Sequence, residues 1–462
     1  MTTTAPRGVR ADRSPAAKIP GPRGNALLGI MLDGMRDRLG LMTGMAEEFG
    51  DVVRFKLGPK VLYFLNHPDH AKHVLADNPA NYHKGMGLIH AKKVLGDGLL
   101  TSEGDLWKRQ RRTINPAFHR ERLSRFAGGV VEEAAVLMRR WRRLTANGPV
   151  GPIDVVTEMT DMTVGVLGRT LLDADLSAYE SIAHAFEVVQ DQAMFEMMTL
   201  NTVPHAVPLP RHFRFRAARR ELERIVLDIV GKRQQTGVAG DDVLSRLLAD
   251  LTEETDAKVR RRRLHDELVT ILLAGHETTA STLSWAWYEL SRQPEIAGRM
   301  RAEAREVFGD GLPSYEDLHR LTYTTMVIQE TMRLHPAVWI LPRRSLEADH
   351  VGGYEIPAGS DVMICPYTLH RHPDFWDEPD RFDPERFQPE RAAARHRYAY
   401  IPFGGGPRFC IGSNLGMMEA VFVAAMVARE FRLELQPGRE VVGDPLLILR
   451  VKDGLPMTIH HD

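Results

Sequence analysis

The chain has 462 residues, is 43% apolar and carries a formal net charge of -1. Such a length and apolar share support a large buried core, and the near-neutral balance excludes bulk attraction to nucleic acid or to an anionic membrane. Only two cysteines occur, Cys365 and Cys410, which excludes a disulfide framework and fits a reducing, cytoplasmic setting.

Residues 1–19, rich in Pro, Gly and Arg, read as a disordered tail without the apolar stretch of a signal peptide. The apolar run Ala26 to Leu32 is far shorter than the ~20 residues that cross a bilayer, so no membrane span is expected. DVVRFKLG (51–58) and KVLYFLN (60–66) alternate around Gly58-Pro59 and predict a hairpin. Helical periodicity then predicts helices at roughly 68–78, 103–114, 119–144, 156–171, 177–200, 212–235 and 240–250. The longest, 258–292, is stopped by Pro294 and would run ~50 Å. A helix at 314–334, short strands near 350–365, a polar Pro-rich stretch at 371–402, an apolar helix at 411–430 and a β tail complete the chain. With no repeat and no linker, 20–462 reads as a single domain, mainly α with a small β portion.

PFGGGPRFCIG (402–412) is the most informative segment. Its glycines and proline call for a tight irregular backbone, and the helix behind it places Cys410 at a helix N-terminus, which favours a thiolate. A lone cysteine is more often a structural one. No second Cys or His stands near enough for zinc, and the G-x-G-x-x-G spacing of a dinucleotide loop fails at Phe409.

Phe403, Gly406, Arg408, Cys410 and Gly412 fill every fixed position of F-x-x-G-x-R-x-C-x-G. The segment resembles the haem-binding loop of the cytochrome P-450 family. That resemblance implies the family's fold, with the long central helix crossing the haem, and haem b as cofactor. It implies Cys410 as the thiolate ligand of the iron, Arg408 on a haem propionate and Phe403 beside the thiolate.

AGHETT (274–279) lies in the central helix. By itself it reads as a packing glycine with threonines bonding back to the helix. It is similar to the family motif in which the helix opens beside the iron, and there Glu277 and Thr278 match the acid–alcohol pair that delivers protons. Glu330 and Arg333 in ETMRLHP are an ordinary i,i+3 pair by spacing. The resemblance implies a buried structural triad with Arg386 of PERF (384–387). Trp107 and Arg111 in WKRQRR match a propionate-binding pair, and Arg343 is the family's other usual propionate partner, with Arg344 adjacent and His90 a weaker candidate.

The resemblance implies O2-dependent oxidation of a small apolar molecule in specialised metabolism, by a monomer fed with electrons from an external ferredoxin and ferredoxin reductase. Lys108, Arg109 and Arg112 are candidates for meeting an acidic carrier. Substrate-pocket candidates are Met86, Leu88, Ile89, Met194, Met197, Met198, Ala274, Val338, Trp339, Ile340 and Leu447, although a Met stripe at helical spacing is more often plain core. The Pro-rich loop after Asn201 is expected to form part of a mobile lid. Two other readings remain open: a peroxide-using haem-thiolate enzyme without redox partner, and a non-catalytic haem sensor.

Overall fold

This computed structural model describes residues 18–462 except 26–27, 177, 180, 200–202, 205–206, 238–239, 241 and 253. Residues 1–17 of the expected tail, and Asn201 of the expected lid, lie outside the described residues; Pro210 opens a helix, Pro210–Thr236.

The central helix spans Ala257–Arg292, 36 residues, or ~54 Å at 1.5 Å per residue. Asp256 caps it, its carboxylate accepting the N–H groups of Lys258 and Val259. From Leu264 to Leu290 most positions are buried on every face, as expected of a helix enclosed by others. Helices Val155–Leu167, Thr322–Leu334 and Ser413–Glu430 pack against it. A Cβ on Gly275 would come 2.2 Å from Leu167 Cδ1, so the glycine admits the helix that crosses there.

The strands form small sheets beside the helices. The hairpin Val52–Leu57 and Lys60–Leu65 has the expected register, Val52 opposite Leu65. It continues in the order Asp361–Ile364, Leu341–Ser345, Tyr82–Lys84 to make five strands. A three-stranded sheet joins Val150–Asp154, Pro456–His461 and Phe431–Leu435. The expectation of a mainly α chain with a small β portion holds.

Several local expectations are corrected. Pro294 ends one helix but also begins the next, Pro294–Phe308, since a proline at the first helical position loses no bond. The 314–334 segment divides into a 3-10 turn, Tyr315–His319, closed by the Ser314–Asp317 capping box, and the helix Thr322–Leu334. Met31–Arg36 and Arg38–Phe49 are helical although their glycines blur the periodicity. The helix after Cys410 begins at Ser413, with Ile411 and Gly412 in a turn between them.

Candidate functional site

The Cys410 loop folds back on itself, the Cys410 N–H donating to Phe403 O at 3.0 Å. Gly406 has φ +63°, and a Cβ there would lie 1.7 Å from the Leu75 carbonyl oxygen. The position therefore requires glycine for its conformation and for close backbone contact. Part of the Cys410 surface is accessible, yet its thiol is strongly desolvated. Both hold because the sulfur opens onto an internal cavity of about 460 Å3. Burial pushes the thiol up from its ordinary value, opposed by the Gly412 N–H and by Arg111. The expected helix-terminus preference for thiolate is thus outweighed by desolvation, with one turn separating sulfur from helix.

The cavity wall beside Cys410 gathers cations. Trp107, Arg111, Arg343 and Arg408 line it, together with Lys84, which sequence reasoning missed. Arg408 stacks over the Trp107 ring at 3.9 Å, donates to Ser102 O at 2.9 Å and pairs with Glu103. Lys84 stands directly opposite Arg343 in the antiparallel pairing. Burial first, then Arg343 and Arg408, drive Lys84 well below its ordinary value. Burial and Arg408 lower Arg343 to about 10. Glu103 is the carboxylate that opposes both shifts. Arg343 and Arg344 diverge because strand neighbours point to opposite faces. Arg343 faces the cavity, while Arg344 donates to Gly359 O at 3.2 Å on the other side. The His90 side chain lies outside the described residues.

Across the cavity the central helix presents Ala274, Gly275, Glu277 and Thr278. Thr278 Oγ1 donates to Ala274 O at 3.0 Å, as the back-bonding reading anticipated. Glu277 turns toward Gln190, whose Nε2 donates to both carboxylate oxygens at 2.6 Å. Burial pushes Glu277 up to about 8, against the pull of Arg450 and Gln190. The acid and the alcohol therefore face different partners. Behind them lies Glu419, on the helix Ser413–Glu430, a buried acid bonded to Thr279 and held well above the carboxylate range by burial. Its motif-free position in an apolar helix gave sequence reasoning only one hint: a charge in a buried stripe.

Glu330 and Arg333 meet in two parallel hydrogen bonds, 2.7 and 2.8 Å, and neither side chain is exposed at all. Arg386 Nε stands 3.4 Å from Glu330 Oε1, so the three expected partners come together. Arg333 also donates to the carbonyls of His370, Pro379 and Arg381.

Of the substrate-pocket candidates, Met86, Leu88, Met194, Met197, Ala274, Val338, Trp339, Ile340 and Leu447 line the cavity. Ile89 does not; it is 39% exposed on the outer face of the helix Leu88–Leu95. The Met198 side chain lies outside the described residues. Ile30, Met42, Met45 and Phe55 also line the cavity and were missed, being contributed by the helices and strand near the N-terminus.

The family model for cytochrome P-450 matches residues 19–449. The chain is a cytochrome P-450. It is 37% identical to cyclooctatin synthase of Streptomyces melanosporofaciens, over 93% of this chain and 92% of that one. It is 32% identical to cyclooctat-9-en-7-ol 5-monooxygenase of the same organism, over 84% of each chain. It is 30% identical to pentalenene oxygenase of Streptomyces avermitilis, over 88% of this chain and 89% of that one.

As a P-450 it is a haem-thiolate monooxygenase that uses O2 and a redox partner to oxidise its substrate. The residues present fit that group. Like charges facing each other across a strand pair are unfavourable, so the Lys84–Arg343 pair calls for an anion, which haem carboxylates would supply. Among the described residues no cluster of three or more His, Cys, Asp or Glu could hold a metal ion. Among the described residues no helix is long and apolar enough to cross a membrane.

Proposed function

We propose that this P-450 binds haem b through Cys410 Sγ and oxidises a cyclic terpene-type hydrocarbon, or its alcohol, in specialised metabolism. The observation that carries the reading is an apolar cavity of about 460 Å3 with the Cys410 sulfur on one side and Ala274 and Thr278 on the other. The names of the three Streptomyces relatives support the substrate class.

Bound haem supplies the oxygen activation and the oxidation itself. The chain does the rest. Arg111, Arg343 and Arg408, with the Trp107 N–H, hold the carboxylates of the cofactor. Phe403 and Gly412 shape the loop around the sulfur. Thr278 Oγ1 positions a proton on the cavity side of the central helix, and the Glu277 carboxyl replenishes it. Met86, Met194, Met197 and Val338 exclude water and hold apolar surface, the methionines adapting to its shape. The Glu330–Arg333–Arg386 cluster fixes the frame behind the Cys410 loop and takes no part in the reaction.

Electrons come from a ferredoxin and its reductase. Lys108, 67% exposed, and Arg112 lie on the outer face of the helix Gly104–Ile114, Arg109 being half-buried. Arg122, Arg246 and Arg125 crowd one another, with Glu121 opposing them, and this basic face would suit an acidic carrier. The protein works as a monomeric single domain, 20–462, in the cytoplasm, where its two unpaired cysteines remain reduced.

The test is reconstitution. Purified haem-loaded protein is screened against cyclic terpenes and their alcohols by the shift of the Soret band, and binders are turned over with O2, ferredoxin and reductase. Oxidised product that depends on all three supports the reading. Turnover with peroxide alone, or a haem whose sixth position never responds to any substrate, refutes it.

A further inference from the structure

We propose that Glu277 rests as a neutral carboxylic acid in a cyclic pair with the Gln190 side chain, its O–H donating to Gln190 Oε1 while the Gln190 N–H donates back to its carbonyl oxygen. The inference rests on Glu277 serving as a proton donor and specifies the state in which that donor waits.

Two observations converge on it. Gln190 Nε2 lies 2.6 Å from both Glu277 oxygens, so amide and carboxyl already face each other within bonding distance. Gln190 Oε1 is buried without any hydrogen-bond partner, on a residue only 1% exposed. A buried acceptor left unsatisfied is costly, and an ionised carboxylate, which only accepts, leaves it so. A protonated carboxyl offers the missing donor, and a small rotation of the amide completes two reciprocal bonds.

The surrounding charges agree. On the same helix, His276 Nε2 stands 4.0 Å from Glu277 Oε1 without a hydrogen-bond partner. Burial lowers that imidazole to about 4, so it contributes no positive charge. On the helix Ser181–Met198, Glu187 adds a like charge that raises Glu277. Arg450 is the cation that acts on Glu277, and its guanidinium is shared between Glu187 at 3.2 Å and Asp444 at 3.3 Å. Beyond them, Arg38 is lowered by burial against the pull of Asp444 and Asp191. Glu277 itself is pushed up to about 8 by burial.

The step balances simply. The Glu277 O–H bond breaks, its proton bonds to a water molecule in the cavity that Glu277 lines, and the carboxylate left behind is held by Gln190 Nε2 on both oxygens. A solvent proton, arriving past half-exposed Glu187, restores the acid. Gln190 is a positioning residue: it lines the cavity beside Glu277 and acts through that acid, setting the donor's resting charge.

Infrared pH-difference spectra of the haem-loaded protein test the pair. The expected result is a carboxylic C=O band at pH 7 that fades only in the mildly alkaline range and is missing from Glu277→Gln. Gln190→Leu should shift that band to the position of an unpaired acid, and Gln190→Lys should abolish it at pH 7 by ion pairing. The absence of any Glu277-dependent acid band at pH 7, or an unmoved band in Gln190→Leu, overturns the proposal. Oxygen-to-product coupling, measured on the same samples, separates the two claims. Unchanged coupling in Glu277→Gln removes the donor role and leaves the pair standing, whereas a missing band with lost coupling does the reverse.

Discussion

Lys84 and Arg343 occupy directly opposed positions on neighbouring antiparallel strands, two cations facing each other at the wall of a buried cavity. Both are desolvated; Lys84 is repelled by Arg343 and Arg408, and Arg343 by Arg408, with Glu103 the carboxylate that opposes these shifts. On the proposed reading, the carboxylates of the cofactor would supply a second anion beside Glu103.

Arg343→Leu should therefore act with opposite sign on the two forms. Without haem, removing a buried cation should raise unfolding stability by about 1–3 kcal/mol. With haem, the lost partner should speed cofactor release. Denaturant unfolding of the apoprotein and haem transfer to an acceptor globin measure the two effects. Equal signs would show that Arg343 has no special relation to the group.

Breaking the Glu330–Arg333 pair should be severe. Glu330→Gln or Arg333→Leu strands a fully buried charge or donor set, a cost of about 3–5 kcal/mol. Chemical unfolding of the haem-loaded variants should show it, along with a lower yield of pigmented protein.

Gly406→Ala should abolish haem loading while leaving the far-ultraviolet helical signal. A positive φ costs a non-glycine residue roughly 1–2 kcal/mol, and the new Cβ would sit 1.7 Å from the Leu75 oxygen. The ratio of Soret to protein absorbance reads the loss. Gly404→Ala meets no atom within 4 Å and carries only the φ penalty, so it should load partially.

Stability should fall as pH rises from about 4.5 to 8. Burial raises Glu267 to about 8, so the folded chain keeps a proton that the unfolded chain has already released. The contribution is present below the unfolded value and is lost as pH climbs to the folded one, at up to about 1.4 kcal/mol per pH unit for such a group. Glu267→Gln keeps an acceptor for the Leu99 N–H and should flatten that slope. A variant whose pH–stability curve parallels that of the wild type would refute the assignment.

Thr278→Ala should leave haem loading and substrate binding intact while diverting oxygen use away from product. Product formed per electron consumed is the measurement, and an unchanged ratio would remove Thr278 from proton handling.

The site's skeleton was legible because its motifs are short and each fixed residue answers a local demand: Gly406 a close carbonyl, Arg343 an inward-facing strand position, Glu330 and Arg333 one helix face. The long helix was legible from its unbroken apolar pattern and the Asp256 and Pro294 boundaries. What escaped depends on distant segments meeting. Lys84 becomes meaningful only opposite Arg343, and Gln190 only against Glu277, 87 positions away. Met42 and Met45 join the cavity from a helix too glycine-rich to show its period. The placement of Ile89 outside the cavity shows the complementary error, since proximity in sequence to Met86 and Leu88 did not survive one turn of helix.

At Gly275 one atom more is too many, because Leu167 fills the space beside it. Leu167 also borders the cavity. Enlarging residue 275 would therefore push that leucine toward the guest, so the room available to a substrate is trimmed from behind the wall as well as from its surface. Paired changes, a larger residue at 275 with a smaller one at 167, offer a way to resize the chamber without altering a single group that handles protons or iron.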